Sequence, residues 1–378
     1  MARNRVIYQS EGLFVSSGAG VNTANDHVQL RRVQSANYSY TINRQDVNQY
    51  GQLARIDSLV LDPPTVSVDF SYYLTDGFNE RALGFYVQTG LGLTGAGPGG
   101  SLVDVTNGVG NFASGHLGEG SGLNVFIVTS PENDDLNIGG AISSAEKVIG
   151  IGNAYPSDYS VDLSVGSLPT VSVTLEGANM ASSDGGTITN PAVDQEAGTP
   201  VGTTVNLPTP ASGGGTAGIT ALRPGDITMN LSTFEDETVA DLDGTDSIHV
   251  QSASISVPLS RTPLDRLGSK FAFARTVDFP ITTTLSVSAI MNEETAINLA
   301  NKLEEPERDV QIVLKTPQGH TGCVWDFKQA LVDSESFSSS IGSNKTVDLT
   351  FSAQIGGPED ITAGIFLSGV GTGATFTP

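Results

Sequence analysis

A single cysteine, Cys323, in 378 residues excludes an intrachain disulfide framework and any cysteine-cluster metal site, and it suits synthesis in a cytoplasm. Cations are scarce too. Only 18 Lys and Arg stand against 41 Asp and Glu, for a formal net charge of -23. A surface that acidic repels phosphates, which argues against ordinary nucleic-acid binding, and it opposes self-association unless specific interfaces overcome the repulsion. No apolar run approaches the roughly 20 residues a membrane helix needs, so no membrane partner is expected. The opening MARNRVIYQSEG has two arginines but no apolar stretch behind them, so no signal peptide is expected. Long segments of helical period are nearly absent.

What the chain does contain is 44 glycines, many Ser and Thr, and short alternating runs. That composition points to a mainly β protein with many turns. The tetrapeptide VQSA occurs at Val33 and again at Val250, and the likeness continues. Residues 33–75 laid over 250–292 share 11 identities in 43 positions, where unrelated composition would give roughly two or three. Tyr38, Tyr40 and Ile42 fall on Ile255, Val257 and Leu259, with the period of 2 that a half-buried strand requires. VGSLPTVSV from Val165 matches IGSNKTVDL from Ile341, and NVFIV from Asn124 matches DVQIV from Asp309, in the same order. The spacing predicts a tandem duplication with three parts: residues 1–177, a Gly/Pro/Ser/Thr-rich connection at 178–218, and residues 219–378. The first copy carries a Gly-rich insertion, 84–123, expected to be a surface loop with little core. The connection is expected to hold at most a small hairpin. One helix is expected per copy: TDGFNERALGF in the first, and residues 292–305 in the second, where Asn292 can cap and Pro306 stops it. Trp325 and Cys323 are expected to share a core face.

Chemical motifs are missing. GAGPGG (95–100) satisfies G-x-G-x-x-G as a string, but Pro98 interrupts it and no helix start follows, so a loop is expected there. DLDGTD (241–246) has Ser252 where a calcium loop of the EF-hand kind needs glutamate, leaving an acidic turn as the expectation. His27, His116, His249 and His320 share no spacing with one another or with Cys323. No nucleophile elbow, zinc-protease or P-loop motif occurs. No catalytic residue, cofactor or metal is therefore assigned, and the chain is expected not to be an enzyme.

Placement of the few cations is informative. Residues 260–280 hold Arg261, Arg266, Lys270 and Arg275, four where an even spread of 18 would give one. The counterpart, 43–64, holds Arg44 and Arg55. Leu264, Leu267, Phe271 and Phe273 interleave the second set, as in an extended hairpin with an apolar side. Residues 234–246 hold six carboxylates and no cation, among them Glu235, Asp236, Glu237, Asp241 and Asp243. One reading is solvated loops of uneven charge. The other is self-complementarity, a basic arm of one subunit meeting an acidic edge of the next.

SDYSVDLSVGSLPTVSVTLEG (157–177), ALRPGDITM (221–229) and the order strand, long arm, strand, helix in each half resemble the major tail, or tail tube, proteins of tailed bacteriophages. The resemblance implies two tandem tail-tube-like β-sandwich or barrel domains, each with one flanking α-helix, in a virion tail protein assembled in the host cytoplasm. It implies self-assembly into stacked rings. Residues 33–42 with 66–74, and 250–259 with 282–291, would line a lumen, and residues 43–64 and 260–280 would be arms reaching the adjacent ring. Two tube domains per chain would make a pseudo-hexameric ring of three chains, with six chains as the alternative. Further partners implied are a tape measure protein and, transiently, genomic DNA in an acidic lumen. Two other readings stay open: another tail ring component on the same fold, such as a terminator or baseplate ring, and a surface β-sandwich that binds glycans.

Overall fold

The computed structural model describes residues 11–16, 27–60, 63–89, 111–118, 122–131, 136, 140–210, 222, 227–231, 248–291, 307–315, 321–338, 344, 346–357, 360 and 362–369. Its main strands fall in two runs of nine. The first run is β1 (Glu11–Ser16), β2 (Val33–Thr41), β3 (Arg44–Val47), β4 (Asp57–Val60), β5 (Thr65–Tyr73), β6 (Leu123–Thr129), β7 (Lys147–Ser164), β8 (Thr170–Gly177) and β9 (Asn179–Asp184). The second is β10 (Ile227–Leu231), β11 (Ile248–Pro258), β12 (Arg261–Leu264), β13 (Ala274–Val277), β14 (Ile281–Met291), β15 (Arg308–Lys315), β16 (Thr321–Ser338), β17 (Thr346–Ile355) and β18 (Gly364–Gly369).

Strands form at the alternating segments because each has one apolar row to bury. In β5, Val66, Val68, Phe70 and Tyr72 are buried while Ser67, Asp69 and Ser71 face the other way. Ladder order in the first run is β2–β5–β8–β7, with β6, β9 and then β1 added at the other end of β7. In the second it is β11–β14–β17–β16, with β15, β18 and then β10 added to β16.

The registers repeat as well as the order. Val33 faces Tyr72 and a bulge follows before Ser35, as Val250 faces Ala289 and a bulge precedes Ser252. Thr170 sits between Tyr73 and Asp162, and Thr346 between Ile290 and Ser338. A second bulge lies between Thr174 and Leu175 in one run, and opposite Thr350 and Phe351 in the other. Such bulges bend a strand and raise its twist. β7 and β16, each of 18 residues, thus belong to two leaves that fold over a shared core. Leu13, Val15, Val125 and Ile127 of one leaf join Val66, Val68 and Phe70 of the other in a single buried cluster that also runs through the second half.

The two halves are joined by the ladder β7–β11, from Ser164↔Ser252 to Asp158↔Pro258. A 16-stranded sheet results. Among the described residues the sheet does not close into a barrel, so of the sandwich or barrel expectation the mainly β part holds. Among those residues its run of ladders ends on β2.

Three expectations need correction, and one is untested. The first flanking helix is only α1 (Phe78–Ala82), five residues with Phe78, Asn79, Glu80 and Ala82 buried, because Gly77 and Gly84, both at positive φ, bound it tightly. The second expected helix, 292–305, lies outside the described residues. The ends of the 84–123 insertion are core: Phe85, Phe112 and Ala113 are buried, and the two Phe rings stack at 4.4 Å. Residues 178–210 are more than a connection. β9 pairs with β7, and Ile188, Val205 and Leu207 pack on Phe14, Phe126 and Val128 in a second buried cluster.

Trp325 and Cys323 are fully buried as expected. Trp325 meets Phe112 at 5.0 Å and Tyr159 at 6.0 Å, which ties the core of the second half to the first.

Candidate assembly surfaces

Three surfaces stand out, and the first is the polar face of the sheet. Alternation turns every apolar row inward and leaves hydroxyls and carboxylates outward. One row crosses seven strands as Ser35, Ser71, Ser172, Ser160, Ser256, Thr284 and Ser352, each opposite the next. The rows beside it carry Asn37, Asp69, Thr174 and Asp158 on one side, and Thr170, Asp162, Ser254, Ser286 and Thr350 on the other. Ser35 and Ser71 share a hydrogen bond of 2.7 Å, and the Thr174 hydroxyl donates to Asp69 at 2.9 Å. None of these rows contains Lys or Arg, so the face presents acceptors and negative charge.

The second surface is the edge of β2. Tyr38 is 43% exposed, Tyr40 60% and Ile42 39%. Their counterparts Ile255 and Val257 are 1% and 0% exposed, and Leu259 is buried. Pattern and register are shared by the two strands; the difference is the neighbour. β11 has β14 on one side and β7 on the other, whereas the described ladder of β2 runs to β5 alone. A long edge strand with apolar side chains is a template for another strand.

The third comprises the two arms. The hairpin β12–β13 (Arg261↔Val277 to Leu264↔Ala274) lies against the first half of its own chain. Arg261 is buried, donates to the carbonyls of Arg275 (3.0 Å) and His116, and stacks over the Tyr155 ring at 4.7 Å. Arg275 is buried beside the Glu176 carboxylate at 3.3 Å. Arg266 donates to the carbonyl of Glu196 and lies 5.9 Å over Phe273.

Burial, and then the Arg261 guanidinium, push His116 down to about 3, so its imidazole is neutral at ordinary pH. Burial, with Asp76 adding to it, outweighs the hydrogen bonds to the neighbouring acid of α1: Glu80, which accepts from Tyr72 (2.8 Å) and Tyr159 (3.2 Å), is raised to about 7.

The hairpin β3–β4 (Arg44↔Val60 to Val47↔Asp57) is the other arm. Arg44 is exposed, and Arg55 holds Asp46 at 2.9 Å on the solvent side. Tyr50 and Leu53 are 105% and 110% exposed, and Ile56, Leu59 and Val60 are exposed too.

The cations singled out by sequence therefore divide. Arg261, Arg266 and Arg275 contact this chain, while Lys270 is exposed and Phe271 half-buried. The acidic set Glu235, Asp236, Glu237, Asp241 and Asp243 lies outside the described residues, as do GAGPGG and DLDGTD. Sequence reading missed the apolar exposure of Tyr38, Tyr40, Tyr50 and Leu53. The unequal burial of paired positions reveals it, and only coordinates supply that.

No family model matches this chain, and no curated protein matches it. Among solved structures it is similar to a chain of the anti-feeding prophage baseplate, solved by electron cryo-microscopy with six-fold symmetry. Identity there is 12% and the TM-score 0.24, over 38% of this chain and 91% of that one. At that TM-score the likeness by itself says nothing of what this chain does.

Proposed function

We propose that the protein is a structural subunit of a phage-type tail tube, whose copies join edge to edge into rings that stack around a channel for DNA. The observation that carries this reading is the stopped sheet. Among the described residues β2 ends it with exposed Tyr38 and Tyr40, at positions whose counterparts inside the chain are buried by another strand. The repeated ladders support two tube units per chain, and hence three chains per six-unit ring.

Geometry favours a channel. Eight strands per chain, β16–β17–β14–β11–β7–β8–β5–β2, form the continuous polar-faced part of the sheet. Three chains would supply 24. At about 4.8 Å per strand and a tilt near 40°, that closes at roughly 48 Å across the backbone. Lined with Ser, Thr, Asp and Glu, such a channel repels phosphate, so DNA passes without sticking; a cationic lining would hold it with every phosphate neutralised. The role is structural, with no reaction assigned, and a tape measure protein would occupy the same lumen before DNA does.

The free arm β3–β4, with Tyr50 and Leu53 bare, suits contact with an adjacent ring. Negative-stain imaging of the purified protein tests the reading. Tubes support it, single rings that never stack favour a terminator or baseplate ring, and monomers at all concentrations contradict both.

A further inference from the structure

Resting on that assembly reading, we propose that the tip of the arm β3–β4, Tyr50 and Leu53, seats on the β7–β8 turn, Val165 and Leu168, of a chain in the next ring. Rings then stack head to tail, all in one direction.

Strand registers place these two features at opposite ends of the sheet. The arm leaves β2 after Thr41 and rejoins the sheet at Thr65, where Thr41 faces Thr65 and Val66 faces Gly177. The β7–β8 turn lies at the other end, where Thr170 faces both Asp162 and Tyr73. The eight residues of β8 that separate the two ends span about 26 Å. The second arm issues from the same end as the first, since Pro258 of β11 faces Asp158 while Ser252 faces Ser164. Both arms therefore share one end, and the turn has the other.

Tip and turn each present apolar side chains that their own chain leaves bare. Tyr50 and Leu53 are fully exposed, and Val165 and Leu168 are 61% and 38% exposed. A Cβ added at Gly51 or Gly166 would meet nothing within 4 Å among the described residues. Both segments are nevertheless held in shape. The Gln52 amide donates to the Gln49 carbonyl at 3.2 Å, and the Ser167 amide to the Ser164 carbonyl at 3.3 Å, each across a glycine with φ of 88°. Preformed turns lose little freedom on contact. The second arm ends in the same kind of turn at Gly268, also at 88°, but there Arg266 donates to the Glu196 carbonyl. That tip is tied to its own chain, which leaves the first arm to reach outward.

Charge favours the same pairing. Residues 43–64 and 260–280 hold six cations against five carboxylates, where the rest of the chain holds 12 against 36. The arms are nearly neutral, so they can close on an acidic neighbour without the repulsion that keeps two acidic bodies apart. Arm ends meeting arm ends would stop growth at two rings, whereas an arm on a turn repeats without limit.

Two variants test the contact from its two sides. Tyr50→Ser/Leu53→Ser removes the tip, and Val165→Ser/Leu168→Ser removes its seat. All four residues are exposed, so thermal midpoints should match the parent. Where the parent forms tubes, each variant alone should give single rings by negative-stain microscopy. Mixing the two kinds of preformed ring should give pairs that grow no further, because one kind keeps its seats and the other its tips.

Tubes from either variant alone, or a mixture that stays as single rings, overturn the contact and leave the assembly reading standing. Parent rings that never stack also overturn it. A parent protein that stays monomeric at all concentrations overturns both.

Discussion

Asn153 and Gln329 occupy the same point of two repeated ladders, and both turn left-handed, with φ of 50° and 55°. Each sits where a bulge bends its 18-residue strand, after Ile151 and before Ala154 in β7, after Phe327 and before Ala330 in β16. Asn153 is anchored there: its side chain accepts from the Val193 amide at 2.6 Å and donates to the Val193 carbonyl at 3.2 Å. Gln329→Gly should therefore stabilise the fold by about 0.5–1 kcal/mol through relief of the left-handed strain. Asn153→Ala should cost about 2–3 kcal/mol, since it keeps the strain and strands a buried amide. Urea unfolding of the two variants checks the contrast.

Glu80 makes stability depend on pH. Its folded pKa, about 7 against an ordinary 4.5, is raised chiefly by burial, with Asp76 adding to it and Tyr72 and Tyr159 opposing. Between those values the folded state holds more protons than the unfolded chain, so this group's contribution falls as pH rises from 4.5 through 7 and stays low above. The span corresponds to roughly 3 kcal/mol as an upper figure. Glu80→Gln keeps an acceptor for both phenols and should flatten that fall, with a higher melting temperature than the parent at pH 8 and little difference at pH 5.

His116 acts in the opposite sense. With a folded pKa of about 3 against an ordinary 6.5, the folded state holds fewer protons in that window, so its contribution is lost as pH falls from 6.5. His116→Phe should resist acid unfolding better than the parent between pH 4 and 6, read as the denaturation midpoint on acid titration.

Two arginines at equivalent positions should behave differently. Arg261→Ala removes a buried stack on Tyr155 and leaves the His116 carbonyl without its donor, which should cost about 2–4 kcal/mol. Arg44→Ala, at an exposed site, should change stability by less than about 0.5 kcal/mol. Chemical denaturation of the folded chain measures both.

The charge of the polar face is testable by inversion. Ser160→Lys, Ser172→Lys and Ser256→Lys together place cations on the central hydroxyl row. The native protein should leave duplex DNA free at low salt, while the triple variant should bind it with an affinity that falls steeply as salt rises. Fluorescence anisotropy of labelled DNA reads the difference.

Much of the ladder was legible because side-chain period and repeat spacing survive in the sequence. The offset that places Val33 on Val250 also places their partners, Tyr72 and Ala289, and the bulges beside them. Edge or interior was not legible. Tyr38 and Ile255 have the same alternation, and burial depends on which strand lies alongside. Phe85 and Phe112 flank a glycine run whose composition reads as loop, yet both enter the aromatic cluster around Tyr159. The seat of Arg261 joins His116, Tyr155 and Arg275, residues up to 145 positions away, and no local pattern brings them together.

The central claim is that this open sheet is completed by copies of itself. An electron cryo-microscopy reconstruction of the assembled protein tests it most directly. The account predicts closed rings of three chains with pseudo-six-fold symmetry, in which Val33–Thr41 of each chain forms a ladder with a strand of the next. Rings or particles in which Tyr38 and Tyr40 face solvent, with chains joined through other surfaces, would contradict it.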